Sequence, residues 1–210
     1  MTSNRTQRLW LRQPGPVAPG LKIGLLGGTF NPPHEGHLHI SDMALKRLGL
    51  DYVWWLVSPR NPLKSEDGLP SLDNRLALAA KLVDERRVIV SDLERTLGTR
   101  FTVDTLTALK RRFPGVSFVW LMGSDNLAQF HRWKDWHRIA ALMPIAVVLR
   151  PGSLLAPLYA KAMQRYRRTR RKNWRGIGRP PAFFIISGPR NAQSSTALRR
   201  LGGPARVVLK

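Results

Sequence analysis

The chain has no cysteine, few acidic side chains and no long apolar run, and each shortage narrows what it can be. Without cysteine among its 210 residues it forms no disulfide and no thiolate metal site. No apolar stretch approaches membrane-spanning length. The N-terminal arginines Arg5, Arg8 and Arg12 lack the apolar segment of a signal peptide. A cytoplasmic protein is therefore expected. Aspartate and glutamate number 13 against 35 lysines and arginines, a formal net charge of +22. Such an excess suits a large anionic surface such as RNA, or small polyphosphates drawn by a positive field, or is composition alone. Two nucleotide fingerprints are missing as well. No glycine-rich segment ends in Gly-Lys-Ser/Thr, and Gly24, Gly27 and Gly28 have the wrong spacing for a dinucleotide-binding turn.

What is present is a series of short apolar runs: Ile23–Leu26, Tyr52–Val57, Val88–Val90, Phe118–Leu121, Ile145–Leu149 and Phe183–Ile186. They are apolar throughout rather than alternating, which predicts strands covered on both faces, as in a parallel sheet. Helical spacing between them predicts helices over Leu72–Val83 behind a Ser71 cap, over Thr102–Arg112 and over Trp133–Leu142. The alternation predicts a doubly wound, mostly parallel α/β sheet in a single domain. Residues 1–20, with prolines at 14, 16 and 19, read as a disordered arm, and 21–210 as the domain. Within it, 151–181 reads as an insertion or flexible linker plus a basic helix, and the run Arg165–Arg179 as a solvated insertion or loose helix face.

The most informative stretch is Gly27-Gly28-Thr29-Phe30-Asn31-Pro32-Pro33-His34-Glu35-Gly36-His37. It follows the first strand and precedes an amphipathic segment. A glycine pair there lets backbone approach a ligand, and two histidines three apart sit where a helix begins. Unpaired N–H groups and the positive end of the helix dipole favour an anion. The physical reading is a phosphate site at a strand-to-helix turn. A metal cluster built on His34, His37 and His39 is the subordinate alternative, with Glu35 the one acidic neighbour.

The same stretch resembles the signature of the nucleotidyltransferase superfamily with its His-x-Gly-His motif. The pattern as a whole resembles the bacterial nicotinate-nucleotide adenylyltransferases. Four further segments carry the likeness, in order, between about Leu21 and Arg200. They are Ser58–Lys64, Arg100–Leu106, Leu121–Asp125 with Phe130–Trp133, and Ser194–Arg199. Three departures concern the nicotinate loop and the chain end: Asn31 in place of aspartate, Asn61-Pro62-Leu63-Lys64 without the usual histidine, and Gln193 in place of an apolar residue.

The resemblance implies a Rossmann-like nucleotidyltransferase fold. It implies transfer of the adenylyl group of ATP to nicotinate mononucleotide, with Mg²⁺ held mainly by substrate phosphates. His34 and His37 would be catalytic, donating hydrogen bonds to the phosphates, more strongly if protonated. Gly28, Thr29, Phe30, Gly123, Asp125, Ser194, Ser195, Thr196 and Arg199 would bind ATP. Asn31, Lys64, Thr102 and Trp133 would bind the nicotinate nucleotide, with Thr102 and neighbouring amides on the carboxylate and Trp133 stacked on the pyridine ring. Plainer readings stand beside these. Trp54, Trp55 and Trp120 are core, Thr102 and Asp125 are helix caps, and one of Trp133 and Trp136 packs inward. The rival functions are another adenylyltransferase acting on the amide nucleotide or on phosphopantetheine, and a basic RNA-binding protein using Arg165–Arg179.

Overall fold

Strands that are apolar at every position need cover on both faces, and the fold provides it. The computed structural model describes residues 13–59, 68–149, 159–171 and 179–188. Its strands are β1 (Lys22–Gly28), β2 (Tyr52–Val57), β3 (Val88–Ser91), β4 (Ser117–Gly123), β5 (Ile145–Val148), β6 (Arg170–Arg171) and β7 (Phe183–Ile186). They form one sheet in the order β3-β2-β1-β4-β5-β7-β6. Every described pairing is parallel. The helices are α1 (Glu35–Leu48), α2 (Leu72–Leu82), α3 (Leu93–Leu97), α4 (Thr102–Arg112), α5 (Ser124–Gln129), α6 (Trp136–Leu142) and α7 (Lys161–Arg165).

The two-residue period of a strand sorts the core into two layers. In β2, Trp54 and Leu56 join Val103, Leu106 and Leu109 of α4 in one layer. Val53, Trp55 and Val57 join Ile40, Ala44 and Leu48 of α1 and Ala79 of α2 in the other. Adjacent tryptophans thus serve opposite faces, both fully buried. Trp120 is core too.

Several expectations need revision. The helix predicted from Trp133 begins at Trp136, because Phe130–Arg132 forms a 3₁₀ turn and Asp135 takes a left-handed φ of 48° at the helix start. Residues 13–20 of the expected arm lie against the domain. Gly20 N–H donates to the Gly115 carbonyl at 2.8 Å, and Val17 packs on the core. Proline-rich chain has little conformational freedom to lose, so a few contacts suffice to seat it. The described part of the basic segment contributes the short helix α7, in line with the basic helix expected there, and also the edge strand β6, which was not expected. Its Arg165, Arg167, Arg168, Arg170 and Arg171 are exposed, as a charged run should be.

Sheet order places the site. The chain leaves β1 toward β2 and β3, then returns across it to β4. The carboxyl ends of β1 and β4 therefore flank the point where strand order reverses, and ligands of such sheets bind in that crevice. Gly28 ends β1 and Gly123 ends β4, brought side by side by the Leu26–Leu121 register.

Candidate active site

The turn that leaves β1 is built around the start of α1. His34 is the N-cap, and its Nδ1 accepts the Gly36 N–H at 3.0 Å. The His34 N–H in turn donates to His37 Nδ1 at 3.2 Å. This is a reciprocal capping box made by two imidazoles, whose ring centroids lie 3.9 Å apart. A backbone N–H can only donate, so both Nδ1 atoms act as acceptors. In a neutral ring the proton is then on Nε2. The two rings therefore reach donor form without taking up a proton.

Three aromatic or hydroxyl groups fix His37 from behind. Phe30 packs on its ring at 4.5 Å and stacks on Trp55 at 5.0 Å. The Trp55 indole N–H donates to Ser41 Oγ at 2.8 Å, and Ser41 Oγ donates to the His37 carbonyl at 2.9 Å. Phe30 holds a left-handed φ of 48°, a costly conformation for a bulky residue, and its ring is buried. Gly27 owes its identity to packing, since a Cβ there would run into the Trp120 indole. A Cβ on Gly28 would meet Phe30 at an ordinary 3.5 Å. The glycine pair thus serves the core as much as ligand approach.

Gly123 is the N-cap of α5, and Asp125 sits exposed in the first turn of that helix, at the same sheet edge as the Gly28 turn. Asp125 is a first-turn residue rather than the cap. Thr102 is likewise the first helical residue of α4, and the N-cap is Phe101, which makes no side-chain cap. The Asp104 and Thr105 N–H groups bond the Phe101 carbonyl at 2.9 and 3.2 Å. The amides of Thr102 and Val103 precede the first intrahelical bond and form the positive end of α4.

The Trp133 segment is tied to that helix start. Lys134 lies over the Phe101 ring at 4.4 Å and reaches Asp104 at 3.7 Å. Trp133 is half-buried, edge-on to Trp120 at 6.0 Å and to Phe130 at 5.4 Å. Trp136 also packs on the core, so both tryptophans do, not one. The Gly28–His37 turn, Gly123 and Asp125 follow the carboxyl ends of the neighbouring strands β1 and β4, and Lys134 next to Trp133 contacts the start of α4 at Phe101 and Asp104. Lys64, Ser194, Ser195, Thr196 and Arg199 lie outside the described residues.

Sequence reasoning missed two groups, Arg75 and Glu94, that bond the chain after β1 and β2. Arg75 is a buried arginine on α2, with burial lowering its pKa. Its Nε donates to the Pro70 carbonyl at 3.0 Å, Nη1 to the Thr29 and Ser58 carbonyls at 2.8 and 2.7 Å, and Nη2 to the Pro59 carbonyl at 3.0 Å. Ser58 N–H donates to the Gly28 carbonyl at 2.8 Å. Glu94, also buried, bonds the Ser58 side chain, and burial pushes its pKa up to about 7 against the lowering effect of that bond. A signal for Arg75 existed: it interrupts the apolar stripe of Leu72, Leu76, Ala79 and Val83 on one helix face.

The family model described as cytidylyltransferase-like matches residues 25–201. The chain is 51% identical over 191 residues to the "Probable nicotinate-nucleotide adenylyltransferase" of Parvibaculum lavamentivorans, covering 89% of this chain and 95% of that protein. It is 52% identical over 187 residues to the protein of the same name from Cereibacter sphaeroides, covering 86% and 97%. Among solved structures, the Plasmodium falciparum nicotinic acid mononucleotide adenylyltransferase complexed with NaAD superposes with a TM-score of 0.66 at 17% identity. That match covers 86% of this chain and 83% of the other, a likeness of fold alone. Identity near one half over almost the whole length of such relatives means that the chain belongs to the nicotinate-nucleotide adenylyltransferase family.

Proposed function

We infer that this chain transfers the adenylyl group of ATP to nicotinate mononucleotide, giving deamido-NAD and pyrophosphate. The reciprocal His34–His37 cap is the observation that carries the reading, because it fixes both imidazoles at a strand-to-helix turn with Nδ1 accepting from the backbone, which leaves the proton of a neutral ring on Nε2. A phosphate oxygen of the acceptor attacks the α-phosphorus of ATP, and the bond to the β-phosphate oxygen breaks. The attacking group is already an anion, so the chain needs no strong base. Its task is to align attacker and leaving group and to offset charge on the transferring phosphoryl. Held by a cap, the two imidazoles require no rearrangement as that charge grows.

Mg²⁺ enters with ATP as part of the substrate, and its contribution is to screen the phosphate oxygens. The site suits a metal carried this way, since both inward imidazole nitrogens are committed to backbone N–H groups. Asp125 beside the β4 terminus binds the ribose diol. Gly28, Thr29 and the backbone of Phe30 line the phosphates, with Ser194–Thr196 and Arg199 assigned to the triphosphate by motif. The positive end of α4 at Thr102 takes the nicotinate carboxylate, a reading supported by the absence of a side-chain cap on that helix. Trp133 offers a face to the pyridine ring, and Asn31 and Lys64 complete the acceptor site. Residues 21–210 act as one nucleotidyltransferase domain. Among the described residues no helix is long and apolar enough to cross a membrane, and we place the enzyme in the cytoplasm.

Pyrophosphate release with MgATP tests the reaction. Rapid release with nicotinate mononucleotide and slow release with its amide is the expected result. Equal rates would remove the Thr102 carboxylate site from the account.

A further inference from the structure

Charge buried on an otherwise apolar helix face costs stability, so Arg75 invites a reason for being there. Leucine or methionine at that position would continue the stripe of Leu72, Leu76 and Ala79. The guanidinium instead satisfies four carbonyls on three separate segments: Thr29 after β1, Ser58 and Pro59 after β2, and Pro70 before α2. These segments have no other common partner among the hydrogen bonds described. The planar fork suits the task, since one rigid group presents five N–H donors in fixed directions.

The Thr29 contact has a consequence for its neighbour. In a trans peptide the carbonyl and the following N–H point in opposite directions. With the Thr29 carbonyl held on Arg75 at 2.8 Å, the Phe30 N–H is directed away from the guanidinium. Phe30 also keeps its left-handed backbone at this point, and its ring packs on His37. Arg75 thus grips the peptide that sets both the Phe30 amide and the packing behind the catalytic histidine. It also joins that peptide to the end of β2, where the Ser58 N–H already bonds Gly28.

We propose that Arg75 is a positioning residue for adenylyl transfer, holding the Thr29–Phe30 peptide and the end of β2 in the register that seats Phe30 behind His37 and so aims His37 at the phosphates. The proposal rests on the reading of the Gly27–His37 turn as the phosphate site. It concerns kcat rather than binding, because misplacement of groups that act in the transition state slows the reaction while leaving most ground-state contacts in place.

The experiment compares Arg75→Lys and Arg75→Met with wild type, His37→Ala and the remote core variant Leu48→Ala, each measured below its own Tm. Arg75→Met is expected to lower kcat by about 10²-fold and Arg75→Lys by about tenfold, with either KM changing less than about threefold. Leu48→Ala lowers Tm and leaves kcat unchanged. An Arg75→Met kcat equal to wild type, with only Tm reduced, overturns the proposal while a slow His37→Ala keeps the site reading. If His37→Ala is also unimpaired, the site reading itself falls. Failure of both Arg75 variants to fold at low temperature, even with MgATP present, likewise overturns it, since the clasp would then belong to the fold and not to the site.

Discussion

At the level of single residues, what a histidine does for a phosphate depends on which ring nitrogen it turns inward. His34 and His37 both spend Nδ1 on a backbone N–H, so each presents Nε2–H. Substituting alanine at either position is expected to lower kcat by about 10²–10³-fold in steady-state assays. The loss should persist at alkaline pH, where a requirement for imidazolium would already have silenced the wild type. Trp133→Ala should raise the KM for nicotinate mononucleotide more than that for ATP. It should also lower Tm, because the indole packs edge-on against Trp120 and Phe130. Glu94 supplies a stability test. Burial raises its folded-state pKa to about 7 from the ordinary 4.5, so the folded chain binds this proton more tightly than the unfolded one. The resulting stabilisation is complete below about pH 4.5 and is lost as pH rises to about 7, on the order of 3 kcal/mol in all. Glu94→Gln should flatten that part of the Tm–pH curve, and an unchanged slope would reject the assignment. Much of this site was legible in the motif at Gly27–His37. Arg75 and Glu94 were not, because their importance lies in contacts to segments 16 to 46 residues away and in burial, neither of which spacing reveals for an isolated charge.

Among the elements, the strands were the most legible, since continuous apolar runs such as Tyr52–Val57 and Phe183–Ile186 match the observed strands end to end. The helices over Leu72–Leu82 and Thr102–Arg112 were nearly as clear from their spacing. The errors fell where a local conformation overrides periodicity. Asp135 in the left-handed region separates Trp133 from α6, although the apolar spacing runs through both. The strand β6 consists of two arginines, which no pattern of hydrophobicity would mark. Packing against β4 gives Gly27 its own test. Gly27→Ala should destabilise by about 1–3 kcal/mol in chemical denaturation, because the added methyl meets the Trp120 ring. Ser71 Oγ accepts the Asn74 N–H at 3.2 Å at the start of α2. Removing that cap with Ser71→Ala should cost about 1 kcal/mol.

For the molecule as a whole, the charge of +22 and the sheet edge act together. A field of that sign draws MgATP and the acceptor toward the protein and weakens as salt screens it. The kcat/KM for ATP should therefore fall as ionic strength rises from about 0.05 to 0.5 M, with kcat itself little changed. A kcat/KM that ignores salt would leave the charge without a part in substrate capture. The same charge has an effect at the outermost described strand. Arg170 and Arg171 are both exposed where β6 closes the sheet order. A sheet edge normally offers its peptide groups to any passing strand, which is how fibrils grow. Another copy adding itself here would set its own arginines against this pair, so mutual repulsion guards the border against self-templated aggregation.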